Sequence, residues 1–332
     1  MQFGIIGSGS WATALAKILT DNNHSINWWI RNESSIAYFK QRRHNPHYLT
    51  SAYFNTSLLS LNNNIKEVIA NSDVLVIAVP SAYVEQALDK LPADCFKGKK
   101  VISAIKGILP SGNRLLNDYL NKKFDVELAD YFTVLGPCHA EEVASEKLSY
   151  LTFTGTNEET AKQLAEHFHT EYLNTLVNHD IVGVQYAAVL KNIYALGAGI
   201  AHGLEYGDNF LSVYIANSAD EMVTFLKKLI AEHNIEAVNY AASVYLGDLL
   251  VTCYSLYSRN RTFGNMLGKG YSVRSAQLEL NMVAEGYNAS KSIYETNQAV
   301  GAKMPIAETI YKILWEHLPP EEAFKKIEGI LV

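Results

Sequence analysis

The sequence predicts an α/β N-terminal domain, built on a doubly wound and mainly parallel sheet, followed by a mainly α-helical C-terminal domain. Three observations carry the prediction. A glycine-rich turn sits between a strand-like run and a helical run at the start of the chain. Strand-like and helical runs then alternate through the first half, which implies strand–helix–strand units. From about residue 181 the strand-like runs stop and long helical patterns take over. The two domains are placed at 1–180 and 181–332, a division that suits a chain of 332 residues.

The first strand, Phe3-Gly4-Ile5-Ile6, runs into Gly7-Ser8-Gly9-Ser10-Trp11-Ala12 and then a helical pattern through Ala14, Leu15, Ile18 and Leu19. In that context the glycine spacing is the dinucleotide fingerprint of a Rossmann domain. Gly7 takes a turn conformation that a side chain would forbid. Gly9 lets the backbone approach a pyrophosphate, and the small Ala12 lets the helix pack closely on the strand. The N–H groups at the helix start then face the phosphates. Ile26–Ile30, Val74–Val79 and Val101–Ile105 read as the next strands, with Tyr131–Leu135 and Tyr150–Thr154 as further ones. They are nearly continuous in Val, Ile and Leu, as in parallel strands buried on both faces. The polar stretch Asn55–Asn64 reads as a surface connection. Helical patterns in the second half cover Asp180–Leu204, Asn217–His233, Ala237–Ser258, Ser275–Leu280 and Ala289–Val300, and one terminal helix follows Pro305.

The bulk numbers exclude some classes. A net charge of −6 leaves no broad basic surface for nucleic acid. Cys95, Cys138 and Cys253 are too few and too scattered for a disulfide scaffold or a zinc knuckle. They read as reduced thiols in a reducing, cytoplasmic compartment. No secretion signal is expected, because the chain goes straight into its first strand. Ile181–Leu204 is apolar but carries Gln185, Lys191, Asn192 and His202. It reads as a buried helix rather than a membrane span. His44 with His47, and His167 with His169, read as surface histidines, and no metal is expected.

Several residues carry candidate chemistry. Arg31 follows the second strand, where an acid would hold the ribose 2′-hydroxyl of NAD and an arginine suits the 2′-phosphate of NADP. An exposed arginine at a strand end is the plain alternative, and both NADP and NAD stay open. Lys106-Gly107 and Gly136-Pro137 follow the fourth and fifth strands, at the carboxyl edge where open α/β sheets bind ligands. Lys191 lies among apolar residues on nearly every helical face. Burial would lower its pKa and let it exchange a proton near neutrality; a snorkelling lysine is the alternative. Asp248 and Thr252 lie four apart on one helical face. Asp248 is placed either to hold a substrate hydroxyl, to pair with Lys191, or to cap a helix after Gly247. Thr252 is placed to donate to the same ligand. Ser258-Arg259-Asn260-Arg261 offers bidentate phosphate recognition or a solvated basic turn. Val283-Ala284-Glu285-Gly286 is a small turn whose carboxylate suits a cofactor hydroxyl. There is no Gly-x-Ser-x-Gly elbow and no P-loop.

Taken together, the opening Gly-x-Gly-x-Trp, Lys106-Gly107, Gly136-Pro137, Leu190-Lys191-Asn192, Gly247-Asp248-Leu249 with Thr252, Arg259-Asn260 and Glu285-Gly286 resemble the bacterial type of NAD(P)-dependent glycerol-3-phosphate dehydrogenase over essentially the whole chain. The resemblance implies reduction of dihydroxyacetone phosphate to sn-glycerol 3-phosphate for phospholipid synthesis. It implies Lys191 as proton donor and acceptor, and Lys106 in contact with cofactor and substrate. It implies substrate contacts at Gly136, Cys138, Asp248, Ser258, Arg259 and Asn260. It also implies cofactor contacts at Ser10, Trp11, Arg31, Ala140, Arg259, Val283 and Glu285. Two departures stand out. Ala12 replaces the third glycine of the fingerprint, which the fold tolerates. Cys138 stands where a hydroxyl residue is usual, and a thiol is a weak donor. The expected partner is a small phosphorylated substrate, with no nucleic acid and no stable membrane insertion; the oligomeric state is left open, a homodimer included. A hydroxyacid dehydrogenase of the same two-domain plan and a silent nucleotide sensor are the competing readings.

Overall fold

The computed structural model describes residues 1–230, 238–280 and 284–332. The chain divides into two compact units, one of Met1–Ile105 with Arg114–Ile181, the other of Lys106–Asn113 with Val182–Val332.

In the first unit, strands β1 (Phe3–Ile6), β2 (Ile26–Trp29), β3 (Leu59–Asn62), β4 (Val74–Ile77), β5 (Lys100–Ser103), β6 (Tyr131–Leu135), β7 (Ser149–Thr154) and β8 (Leu173–Asn178) form one sheet in the order β3-β2-β1-β4-β5-β6-β7-β8. Helices α1 (Ser10–Asp21), α2 (Glu33–Arg42), α3 (Ile65–Ala70), α4 (Ser81–Leu88), α5 (Leu116–Phe124), α6 (Ala140–Ala144) and α7 (Glu158–Glu166) make the connections. The central β1 and β4 are buried at every position, as both-face coverage requires. Ile5 lies opposite Trp28 on one side and Val76 on the other. All pairings are parallel except β6 with β7, so the strand expected at Tyr150–Thr154 runs against its neighbour.

Two strands escape the sequence reading. The stretch Asn55–Asn64, expected as a surface connection, contains β3. Its asparagines mislead because Asn55 and Asn64 cap the short helical turns on either side, accepting from the Ser57 and Lys66 N–H groups. Leu59 and Leu61 alternate with Ser60 and Asn62 and pack on the core, as an edge strand does. The other edge, β8, is also half polar, with Asn and Thr breaking up its apolar residues and only Leu173 buried.

The second unit holds α8 (Ile181–Gly203), α9 (Asp208–Ile230), α10 (Asp248–Tyr254), α11 (Arg259–Gly268), α12 (Val273–Leu280), α13 (Glu285–Val300), α14 (Pro305–Trp315) and α15 (Pro320–Glu328). α8 is long and apolar enough to cross a membrane, yet it is almost wholly buried in the protein. It crosses α11 backbone to backbone. A Cβ on Gly199 or Gly203 would strike the Arg261 or Asn265 carbonyl, and one on Gly264 or Gly268 would strike Leu196 or Ile200. The helix expected over Ala237–Ser258 is interrupted. A π-helical turn at Ser243–Gly247 leads into α10, and the chain leaves the helix at Ser255. Its first residue, Ala237, and residues 231–233 of the helix expected over Asn217–His233 lie outside the described residues; α9 itself begins earlier, at Asp208. The single terminal helix expected after Pro305 is two, because Pro319 and Pro320 start a second.

Candidate active site

In the first unit the site is the turn between β1 and α1. Gly7 has φ +125°, and a Cβ there would lie 2.5 Å from the Ala78 carbonyl oxygen, so glycine is required twice over. A Cβ on Gly9 would meet nothing within 4 Å. Gly9 is also the N-cap of α1 and brings no capping side chain. An open backbone face at a helix N-terminus is what a dinucleotide pyrophosphate needs, so these residues fit that cofactor. Ser10 and Ala12 are buried and Trp11 is half-buried. Arg31 is exposed just beyond β2. Gly136 ends β6 with φ +138°, and a Cβ there would approach the Tyr150 carbonyl oxygen to 2.9 Å. Cys138 is buried, and Ala140 opens α6.

In the second unit Lys191 of α8 is 3 % exposed and Asp248 of α10 is 1 % exposed. The Lys191 ammonium donates to Asp248 Oδ1. Lysine therefore does not snorkel, and Asp248 is not the N-cap of α10, because Gly247 holds that position and Asp248 is the first residue of the helix. Burial holds Lys191 far below the ordinary lysine value, at about 7. Asp248 opposes that shift, and the Lys106 ammonium facing Lys191 adds to it. Asp248 Oδ2 is buried without a protein partner. Thr252 is buried, but its hydroxyl donates to the Asp248 carbonyl; as a donor it is spent inside the helix.

Asn192, next to Lys191, has a role that the sequence does not assign, although a second polar residue in so apolar a helix was the available signal. Its Nδ2 donates to the Lys106 carbonyl at 2.9 Å. Its Oδ1 accepts from Asn260 Nδ2 at 2.9 Å. Asn260 Oδ1 in turn accepts from the Gly286 N–H at 2.8 Å. A Cβ on Gly286 would lie 2.5 Å from the Asn192 carbonyl oxygen, so the start of α13 must be this small. One polar relay thus gathers Lys106, Lys191, Asn260 and the residue after Glu285. Ser258 caps α11, accepting from the Arg261 N–H. Arg259 opens α11 and is partly exposed, as is Glu285 at the start of α13. Val283 lies outside the described residues.

A buried acid also escapes sequence reasoning. Glu221 of α9 accepts from the Ile306 and Ala307 N–H groups, both at 2.8 Å, and from the Tyr194 hydroxyl at 3.1 Å. Burial pushes its carboxyl up to about 7. Cys253 is buried and its thiol is pushed up to about 12, against the nearby charges of Lys191 and Arg261. Among the described residues no group of three or more His, Cys, Asp or Glu is arranged to hold a metal.

Comparison with known proteins agrees with this fold. Residues 2–161 match the N-terminal family of NAD-dependent glycerol-3-phosphate dehydrogenase, and residues 180–325 match its C-terminal family. The glycerol-3-phosphate dehydrogenase [NAD(P)+] of Prosthecochloris aestuarii is 35 % identical over 324 residues, covering 97 % of this chain and 96 % of that one. That of a Thermoanaerobacter species is 34 % identical, covering 97 % and 95 %. The crystal structure of the Coxiella burnetii glycerol-3-phosphate dehydrogenase superposes with a TM-score of 0.90 at 26 % identity, covering 98 % of both chains. With both of its halves matched and its buried lysine–aspartate pair in place, the chain belongs to the NAD-dependent glycerol-3-phosphate dehydrogenase family.

Proposed function

We propose that the protein reduces dihydroxyacetone phosphate to sn-glycerol 3-phosphate with NADPH or NADH, reversibly, and so supplies glycerophospholipid synthesis in the cytoplasm. The observation that carries the reading is the buried Lys191–Asp248 pair with Lys106 beside it. A dinucleotide held at the Gly7–Gly9 turn would supply the hydride that the carbonyl carbon of the ketone takes up. The carbonyl oxygen then needs a proton, and Lys191, poised at about 7, gives it one from Nζ. The products on this side are a secondary alcohol and a neutral amine. In the reverse direction the neutral amine takes the hydroxyl proton. A group poised near the working pH serves both directions, whereas an ordinary lysine would hold its proton too tightly to return it.

The other residues bind and orient. Asp248 Oδ1 holds Lys191, and its unpartnered Oδ2 is suited to accept a substrate hydroxyl. Thr252 fixes the helix turn that carries Asp248. Lys106 repels Lys191, which favours release of the proton, and offers a cation to the substrate oxygen. Arg259, with Ser258 and Asn260, anchors the phosphate. Gly136 and Cys138 complete the substrate contacts. Gly7, Gly9, Ser10, Trp11, Ala12, Arg31, Ala140 and Glu285, together with Lys106, Arg259 and Val283, hold the cofactor.

The test follows loss of reduced-nicotinamide absorbance with dihydroxyacetone phosphate, and NADPH or NADH in parallel. Oxidation is expected with the phosphate ester and not with dihydroxyacetone. Folded protein that binds NADPH but oxidises neither nucleotide overturns the substrate assignment. In Lys191→Ala, kcat collapses while NADPH binding survives.

A further inference from the structure

The carbonyls of the glycine turn are all tied down on the protein side, each by a different side chain. The Trp28 indole N–H donates to the Gly7 carbonyl at 2.7 Å. Asn45 Nδ2 donates to the Ser8 carbonyl at 3.0 Å. The Thr13 hydroxyl donates to the Gly9 carbonyl at 2.9 Å, alongside the Thr13 N–H, also at 2.9 Å, which makes the first helical bond of α1. Asn45 also joins the set to itself, because the same Nδ2 donates to Thr13 Oγ1 at 2.9 Å.

A trans peptide is planar, with C=O and the next N–H on opposite sides. Pinning three successive carbonyls therefore aims three successive N–H groups, those of Ser8, Gly9 and Ser10, away from the pinning side chains. A carbonyl turned the other way would present partial negative charge to an anion. We infer that Asn45 is a positioning residue for the cofactor, setting the peptide planes of the pyrophosphate-binding turn from a loop beyond α2. The inference rests on the cofactor reading above.

Asparagine suits the place because every bonding position of its amide is used. Nδ2 makes the two bonds just named, and Oδ1 accepts from the His47 and Tyr48 N–H groups at 3.0 and 3.2 Å. The residue is 3 % exposed. Aspartate keeps the Oδ1 bonds but has no donor and sets an oxygen against the Ser8 carbonyl. Glutamine is a methylene too long for a site this closed. Nothing in Asn45 reaches a reacting atom, so its effect should fall on cofactor affinity alone.

The experiment titrates wild type, Asn45→Ala and Asn45→Asp with NADPH and with NADH, following nicotinamide fluorescence. Loss of the clamp bond is expected to weaken both nucleotides by about tenfold in Asn45→Ala and further in Asn45→Asp, by equal factors because the pyrophosphate is common to both. At saturating cofactor, kcat and the substrate KM stay within about twofold of wild type. Thr13→Val, which replaces the hydroxyl that Asn45 Nδ2 bonds by a methyl and leaves the Thr13 N–H on the Gly9 carbonyl, is expected to weaken both in the same direction by a smaller factor and serves if the Asn45 variants do not fold. Asn22→Ala is the control for general loosening. Asn22 Nδ2 likewise bridges two backbone carbonyls, those of His167 and His169, in the same unit. Wild-type affinity in Asn45→Asp and Thr13→Val overturns the inference. So does an equal loss in Asn22→Ala, or a loss confined to NADPH. Wild-type protein that binds neither nucleotide overturns the cofactor reading itself.

Discussion

Replacing Asp248 with Asn removes the charge that helps keep a proton on Lys191 while leaving volume and acceptor oxygen in place. Opposite unit charges about 4 Å apart attract by about 4 kcal/mol at the effective dielectric of a protein site. One pKa unit is about 1.4 kcal/mol, so two units is a conservative figure for the loss. Burial and the Lys106 charge, both of which lower Lys191, then act with less opposition. Lys191 moves from about 7 to about 5, and at pH 7 its protonated fraction drops from about one half to about one hundredth. Reduction needs the ammonium, so its kcat/KM is lost as pH rises through the lysine pKa; oxidation needs the amine and is lost as pH falls through it. The variant should therefore reduce its ketone about fifty-fold more slowly at pH 7 and recover toward pH 5. The oxidation limb should extend to lower pH than in wild type. The assay is kcat/KM in both directions from about pH 5 to about pH 9. Weaker substrate binding, from the missing Asp248 carboxylate, scales the whole curve but does not move its inflection. An inflection that stays near 7 in the variant, with the same loss at every pH, refutes Lys191 as the titrating acid.

Gly264→Ala drives a methyl into the Leu196 carbonyl and should cost about 2 to 3 kcal/mol in denaturant unfolding. It should also raise the substrate KM by moving Asn260 off Asn192. Glu221→Ala strands the Ile306 and Ala307 N–H groups and the Tyr194 hydroxyl in a buried place, and should cost about 3 kcal/mol or more. Because the Glu221 carboxyl sits at about 7 in the fold against 4.5 for the free group, its contribution to stability is present below pH 4.5 and is lost as pH rises through about 7; Glu221→Gln should flatten that part of the stability profile. In the first unit, His167 Nδ1 lies 3.2 Å from His24 Nε2. Burial lowers both from 6.5, with the neighbouring histidine adding to the shift at His24 and the nearby N-terminal ammonium adding to it at both. Stability from this pair is present above pH 6.5 and lost as pH falls below it, so His167→Phe should remove acid sensitivity in that range when unfolding is compared at pH 5 and pH 7.

What the sequence shows of the fold follows how strongly each element is constrained by burial. β1 and β4 are covered on both faces and read as unbroken apolar runs. β3 and β8 sit at the edges of the sheet, where one side is wet; the leucines of β3 alternate with Ser and Asn, and the apolar residues of β8 are broken up by Asn and Thr. Four-residue alternation amid asparagines looks like a loop, and here two of those asparagines are caps rather than loop residues. The join between the Ser243–Gly247 turn and α10 is hidden for the opposite reason: a π-helical turn of five residues is too short to show a period of its own before the helix that follows it, so nothing local marks the join.

The site divides along the same line. Gly7, Gly9, Lys191 and Asp248 are legible because each violates its surroundings, a glycine inside a strand–helix junction or a charge inside an apolar helix. The residues that hold those groups in place violate nothing locally. Asn45 lies in a polar loop, 37 residues from the carbonyl it binds. Asn260 follows an arginine in what reads as a basic turn, 68 residues from Asn192. Trp28 reads as one more apolar strand residue, yet its indole N–H is what fixes Gly7. A single sequence shows which groups carry charge or bend the chain. It does not show which neutral amide completes a hydrogen bond made by folding, because an asparagine that caps a turn and one that sets a peptide plane look alike until both partners are in place. That asymmetry makes Asn45 and Asn192 the positions where substitution is most informative. The chemistry they support is carried by other residues, so a change at either one separates the orientation of the machinery from the machinery itself.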